Sequence, residues 1–285
     1  MVPRRPPSVR YTSAMAELSI ESAGVTLSGE EAGEGTPVVL LHGLTATRRY
    51  VVMGSKALER GGHRVITYDA RGHGSSTPAP APDAYGYEDL SRDLLAVLDA
   101  CGIERAVLAG SSMGGQTVAR FAIDQPDRVA SIVIITPAFE PGGFRDLPHW
   151  DRLSDGLRDG GVQGFIAAMG ELKVPEQYQK TFRTVLEQRL SAHAHPEAVA
   201  DALRVVPRAQ AFASWSELAD ISAPTLVVGS RDEIDFEHPL EIAERYATSI
   251  PGARLVVEDA GKSPLAWQGG RVSEVIAEAA AMSVA

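Results

Sequence analysis

Cysteine is nearly absent: Cys101 is the only one in 285 residues. One thiol cannot form an intrachain disulfide, so nothing in the chain calls for an oxidising compartment. Lysine is also scarce, with four against twenty-three arginines. The 27 basic residues face 37 acidic ones, leaving a formal net charge of -10. A surface of that sign repels phosphate backbones, and nucleic acid is not an expected partner. No apolar run approaches the ~20 residues of a membrane span. Clustered Cys/His spacings and an H-E-x-x-H pattern are missing, so neither a metal nor another cofactor is expected. The cytoplasm is the default location, and the partner to expect is a small molecule.

What is present is an ordinary globular composition, with 44% hydrophobic and 22% charged residues. That balance suits one large domain carrying an insertion. Residues 1–15, rich in proline and arginine, read as a disordered tail or as sequence upstream of an internal start at Met15. Residues 16–23 and 25–33 read as an antiparallel pair turning at Gly24. Short apolar runs at 38–41, 64–68, 106–109, 131–135, 225–228 and 254–257 carry the mark of strands buried on both faces.

Amphipathic helical stretches separate these runs. Residues 87–100 place Leu90, Leu94, Val97 and Leu98 on one face, and 113–124 and 240–249 are similar. The alternation predicts an α/β fold, with a mostly parallel sheet of about eight strands flanked by helices. From 137 to 220 no convincing strand occurs, only helical segments such as 177–190 and 196–205. That interval is too long for a connection and is expected to form a helical cap over the strand ends, with 16–136 and 221–285 as the core.

The chemistry-bearing motif follows the run at 106–109. Gly110-Ser111-Ser112-Met113-Gly114-Gly115 is G-x-S-x-G between a strand and a helix, the setting that presents a serine hydroxyl on a strained turn. Upstream, the run at 38–41 enters His42-Gly43-Leu44-Thr45, a loop able to offer a backbone N–H beside that serine. The backbone amides of Leu44 and Met113 are the candidate oxyanion hole. His42 reads as a residue that orders its turn. Asp69-Ala70-Arg71-Gly72-His73-Gly74-Ser75-Ser76 reads as a tight loop and not as a phosphate cradle.

His42-Gly43, the segment 69–74 and Gly110-Ser111-Ser112-Met113-Gly114 together resemble the α/β-hydrolase fold superfamily, in the branch of small bacterial esterases, perhydrolases and carbon–carbon bond hydrolases. The resemblance implies a catalytic triad in the order serine, acid, histidine. It places the acid in the loop 229–235, with Asp232 first and Asp235 and Glu233 as fallbacks. It also expects histidine where this chain has Lys262, in Gly261-Lys262-Ser263-Pro264, and no histidine follows His238.

Three sources of a base are open. Lys262 is taken as the first candidate, giving a Ser112–Asp232–Lys262 site, although it must lose its charge to accept a proton and a neighbouring carboxylate opposes that. His238 at the following helix start and His149 in the cap are the substitutes. The residue could equally be a structural strut or an introduced replacement for histidine. The expected activity is hydrolysis of carboxylic esters or related acyl compounds through an acyl-enzyme on Ser112. The competing reading is a weakly active or inactive protein binding a small hydrophobic ligand under the cap, and a cofactor-free lyase or isomerase stands third. Phe144, Trp150, Phe165, Met169, Phe182 and Trp215 line such a pocket or form the cap's own core.

Overall fold

The computed structural model describes residues 15–142, 146–171, 174–232, 235, 237–263 and 267–283. Residues 1–14 of the expected tail, Phe144 and the fallback acid Glu233 lie outside the described residues. Eight strands form one sheet: β1 (Ala16–Ser22), β2 (Val25–Ala32), β3 (Thr36–Leu41), β4 (His63–Tyr68), β5 (Ala106–Ser111), β6 (Val129–Ile135), β7 (Thr225–Gly229) and β8 (Arg254–Val257). Their order is β1-β2-β4-β3-β5-β6-β7-β8. β1 and β2 pair antiparallel, as do β2 and β4, and every later pairing is parallel.

The apolar runs exist because helices cover both faces of the sheet. Successive strand residues point to opposite faces, and the core divides accordingly. Val39, Leu41, Leu108, Ile132 and Ile134 pack against α2 (Tyr87–Ala100), α3 (Met113–Asp124) and α7 (Leu240–Ser249). Val38, Leu40, Val107, Ala109 and Val133 pack the other way, against α1 (Ala57–Arg60) and α8 (Gly269–Met282). On α2 the buried stripe is Leu90, Leu94, Val97 and Leu98, the face its spacing predicts.

Between β6 and β7 the described residues form only helices: α4 (Leu147–Met169), α5 (Glu176–Leu190), α6 (Pro196–Val205) and short 3-10 turns. These have a core of their own, built on Leu153, Leu157, Phe165, Ile166, Leu186, Leu190, Val199 and Leu203. No described helix is long and apolar enough to cross a membrane.

Beneath the site, the fold is fastened by buried charge. Arg71 and Asp93 are each about 1% exposed, with Nε to Oδ2 at 2.8 Å and Nη2 to Oδ1 at 2.7 Å. The Ser22 hydroxyl donates to Asp93 Oδ1 at 2.6 Å. A forked pair with its remaining lone pairs satisfied is the arrangement in which burying two charges is tolerable. It holds the loop after β4 to α2 and β1.

Candidate active site

The site starts with a strained turn. Ser112 caps α3 with φ 49° and ψ -114°, a left-handed backbone that a residue bearing a Cβ adopts only when its surroundings force it. Here the forcing is visible. A Cβ on Gly110 would lie 2.2 Å from Gly114 C, and one on Gly114 would lie 2.3 Å from the Leu41 carbonyl oxygen. Strand and helix therefore meet only because both flanks of the serine are glycine. The Ser112 amide donates to Ile135 O at 2.9 Å, which ties the elbow to the end of β6.

The loop after β3 runs beside this turn and is braced from below. The Arg48 amide donates to Asp69 Oδ1 at 2.8 Å, the Arg48 guanidinium pairs with the same carboxylate, and the Ser75 amide donates to Asp69 Oδ2 at 3.1 Å. His42 accepts from the Ala70 amide through Nε2 at 2.9 Å and donates from Nδ1 to Gly43 O at 2.8 Å. Both ring nitrogens are spent on backbone, the turn-ordering role its position suggested. His193 braces the loop from above: Nε2 donates to Thr45 O at 3.0 Å, and Nδ1 accepts from the Gly74 amide at 2.8 Å.

The residue facing the Ser112 hydroxyl is His238. Its Nε2 lies 2.9 Å from Ser112 Oγ, and its Nδ1 lies 2.7 Å from Asp235 Oδ1. With the Nδ1 proton donated to the carboxylate, Nε2 is left with its lone pair toward the serine hydroxyl. The short reach from acid to histidine comes from tight backbone turns. The Asp235 amide donates to Asp232 O at 3.1 Å, and the His238 amide donates to Asp235 O at 3.2 Å.

Burial works against the imidazolium of His238. The Asp235 charge and hydrogen bond, with the Glu237 charge added, outweigh it and raise the pKa above the ordinary histidine value. Burial likewise opposes ionisation of Asp235, yet the His238 charge and hydrogen bond bring its pKa below the ordinary carboxylate value.

Two expectations need correction here. Lys262 is exposed on the turn after β8, and it is not among the residues lining the space at Ser112. The imidazole at Ser112 comes instead from the loop after β7. Asp232 is half-buried, its amide donates to Ser230 Oγ at 3.2 Å, and the carboxylate on His238 is that of Asp235, the fallback.

The β7 and β8 ends are tied together by Glu258. Its Oε1 accepts from the Arg231 amide at 2.7 Å, from Ser230 Oγ at 3.0 Å and from the Ser263 hydroxyl, while Oε2 accepts from Trp267 Nε1 at 3.1 Å. Glu258 and Ser263 thus tie the turn that carries Lys262 to the end of β7.

A small cleft, partly open to solvent, borders Ser112. Leu44, Met113, Gln116, Trp150 and His238 line it, with Glu237 at one side. The two residues whose amides were expected to bind an oxyanion therefore both border the space next to the serine. His149 Nε2 is 3.9 Å from Glu237 Oε1, so this histidine reaches the same corner but does not engage Ser112. Of the aromatic and Met candidates among the described residues, Trp150 borders the cavity. Phe165 belongs to the core of the helical segment, Met169 packs against that core, Phe182 is exposed, and Trp215 stacks on Phe212 and Tyr246.

This chain belongs to the α/β hydrolase fold family, whose model matches residues 36–268. It is 31% identical over 224 residues to "Putative carbamate hydrolase RutD" of Variovorax paradoxus (strain S110), covering 78% of this chain and 82% of that protein. Among solved structures, a thermophilic esterase from Thermogutta terrifontis, in its malate-bound form, superposes with a TM-score of 0.75 at 29% identity, covering 92% of this chain and 97% of that one. The enol-lactonase of Burkholderia xenovorans LB400 also gives a TM-score of 0.75, with 92% and 99% covered. At 24% identity that likeness is one of fold.

Proposed function

We propose that the chain is a serine hydrolase acting on carboxylic esters and related acyl compounds, with Ser112 as nucleophile, His238 as general base and Asp235 as the acid that orients it. One observation carries the reading: a single imidazole bridges the Ser112 hydroxyl at 2.9 Å and a carboxylate at 2.7 Å. Those distances fit proton transfer from an attacking hydroxyl.

In the first half-reaction Ser112 Oγ bonds to the substrate carbonyl carbon while its proton passes to His238 Nε2. The carbonyl oxygen becomes an oxyanion, held by the amides of Leu44 and Met113. The second lies in the first turn of α3, where backbone N–H groups have no helical partner. As the bond to the leaving group breaks, His238 returns the proton to it. In the second half-reaction His238 takes a proton from water, which attacks the acyl-enzyme and restores the serine. Asp235 holds the imidazole in the required tautomer and stabilises its transient charge.

The helices between β6 and β7 act as a cap that shields this chemistry, with Trp150 as the cap's wall of the cavity. A relative named as a carbamate hydrolase and a structural neighbour titled as an esterase support acyl transfer, since both substrate types present a carbonyl carbon with a heteroatom leaving group. The reaction calls on no metal or organic cofactor and takes a small molecule, and the composition suits a cytoplasmic enzyme.

Brief exposure to p-nitrophenyl acetate followed by intact-mass and peptide analysis tests the reading. The expected result is an acetyl adduct on Ser112 that decays on standing and is absent in Ser112→Ala. Steady ester hydrolysis that survives in Ser112→Ala would remove the serine from the reaction.

A further inference from the structure

Glu258 is a buried carboxylate just past the end of β8 that the chemistry proposed above does not use. Its donors come from two sides. The Ser263 hydroxyl and Trp267 Nε1 hold it from the C-terminal side. The Arg231 amide at 2.7 Å and the Ser230 hydroxyl at 3.0 Å hold it from the loop after β7. Burial opposes its charge, but the hydrogen bonds from Ser263, Arg231 and Ser230 outweigh that and bring its pKa below the ordinary carboxylate value. A charged acceptor therefore anchors that loop throughout the neutral range.

From this anchor a series of hydrogen bonds leads to the imidazole. Ser230 Oγ, while donating to Glu258, accepts from the Asp232 amide at 3.2 Å. The Asp232 carbonyl accepts from the Asp235 amide at 3.1 Å, and the Asp235 carbonyl accepts from the His238 amide at 3.2 Å. The series ends at the two residues whose side chains meet at 2.7 Å. No described helix or strand covers residues 230–239, so where Asp235 and His238 stand depends on bonds of this kind and not on a regular ladder.

Resting on the serine-hydrolase reading above, we infer that Glu258, acting through the Ser230 hydroxyl, is a positioning residue that keeps the Asp235 carboxylate within hydrogen-bond reach of His238 Nδ1. Glu258 is not among the residues bordering the cleft and takes no part in the proton transfers. Its effect is on geometry: with the series cut, the carboxylate drifts from Nδ1 and the imidazolium loses its partner at 2.7 Å.

The test follows the titration of the His238 ring by NMR, which a tie that merely joins two strand ends would not move. The charges acting on this ring are those of Asp235 and Glu237 on its own loop and of Arg189 on α5. His149 on α4 stands 3.9 Å from Glu237, and Tyr87, which also borders the cleft, stays neutral because burial raises its pKa. Ser230→Ala cuts the series yet leaves Glu258 its bonds to Arg231, Ser263 and Trp267, while Glu258→Ala removes the anchor itself. In both variants the His238 pKa should fall by at least about half a unit, the scale of one weakened hydrogen bond. The acidic limb of kcat/KM for p-nitrophenyl acetate should move to lower pH by the same amount, and kcat should fall about 5- to 10-fold. The double variant should shift no further than Glu258→Ala alone, because the two residues act in series. A Ser230→Ala chain in which His238 titrates as in the native protein overturns the inference, even if Glu258→Ala fails to fold. If the serine-hydrolase reading fails instead, ester turnover survives in Ser112→Ala while the shift of the His238 titration in Ser230→Ala remains.

Discussion

His193 provides a quantitative test of how the helical segment is fastened to the loop beside Ser112. The imidazole is 8% exposed and spends both nitrogens on backbone, one toward Thr45 and one toward Gly74. Burial is the main reason its pKa falls from 6.5 to about 4. The neighbouring His42 and Arg189 push the same way, while the Thr45 hydrogen bond and Asp69 oppose them.

A histidine with a depressed folded-state pKa binds fewer protons folded than unfolded. Its stabilisation is whole above the unfolded value near 6.5 and is lost as pH falls toward 4. Between pH 7.5 and 5 the two titration curves diverge by about 2 kcal/mol for this one group. His42 and His73, also buried with pKa values below the ordinary one, act in the same direction.

Urea unfolding followed by fluorescence at pH 7.5 and 5 measures the difference. His193 should account for about 2 kcal/mol of loss over that interval, while His238, with its raised pKa, acts in the opposite direction. His193→Gln, which cannot titrate, should be less stable at pH 7.5 and should lose about 2 kcal/mol less on acidification. An identical pH slope in the two proteins would refute the reasoning.

Other consequences follow from the same contacts. Asp93→Ala leaves the buried Arg71 guanidinium without its forked partner, and should cost about 3–5 kcal/mol, read as a fall in Tm of roughly 10 °C by calorimetry. Asp235→Asn removes the charge that raises the His238 pKa, so the acidic limb of the kcat/KM profile should move to lower pH. The rate should fall on the order of 10- to 100-fold. That is less than for a fully buried acid, because the Asp235 side chain is 41% exposed and water can take its place at Nδ1.

Most of the fold is legible in the sequence, because each strand buried on both faces leaves an uninterrupted apolar run and each core-facing helix leaves a 3.6-residue stripe. β8 and α2 begin and end where those patterns place them. α4 is harder to read, since Gly156, Gly160, Gly161 and Gly164 weaken its helical signal. α8 shows a short stripe, since Val272, Val275 and Ile276 carry its apolar face and the other buried positions are glycine, serine and alanine.

The proposed nucleophile is equally legible, because Ser112 stands between the glycines that the junction of β5 and α3 requires. The proposed base is not. A histidine at the head of a helix after an acidic loop ordinarily reads as a helix-start residue, and His238 precedes α7 by only two positions. The signal was the pairing of Asp235 and His238 three residues apart in a loop able to turn, together with the absence of any later histidine. Neither is decisive until a backbone turn brings Nδ1 to the carboxylate. The lysine is misleading for a related reason. Its position in the chain matches the resemblance, but the Glu258 knot, which no local pattern reveals, ties its loop to the end of β7, and Lys262 does not border the space at Ser112.

The most direct test of the account is the rate of p-nitrophenyl acetate hydrolysis between pH 6 and 10 for the native chain, His238→Ala and Lys262→Ala. The account predicts a fall of about 10²- to 10⁴-fold in His238→Ala, the usual contribution of a positioned general base. It predicts a change within about twofold in Lys262→Ala, an exposed side chain away from the cavity. A Lys262→Ala variant that is dead beside an active His238→Ala would contradict it and return the base to the lysine.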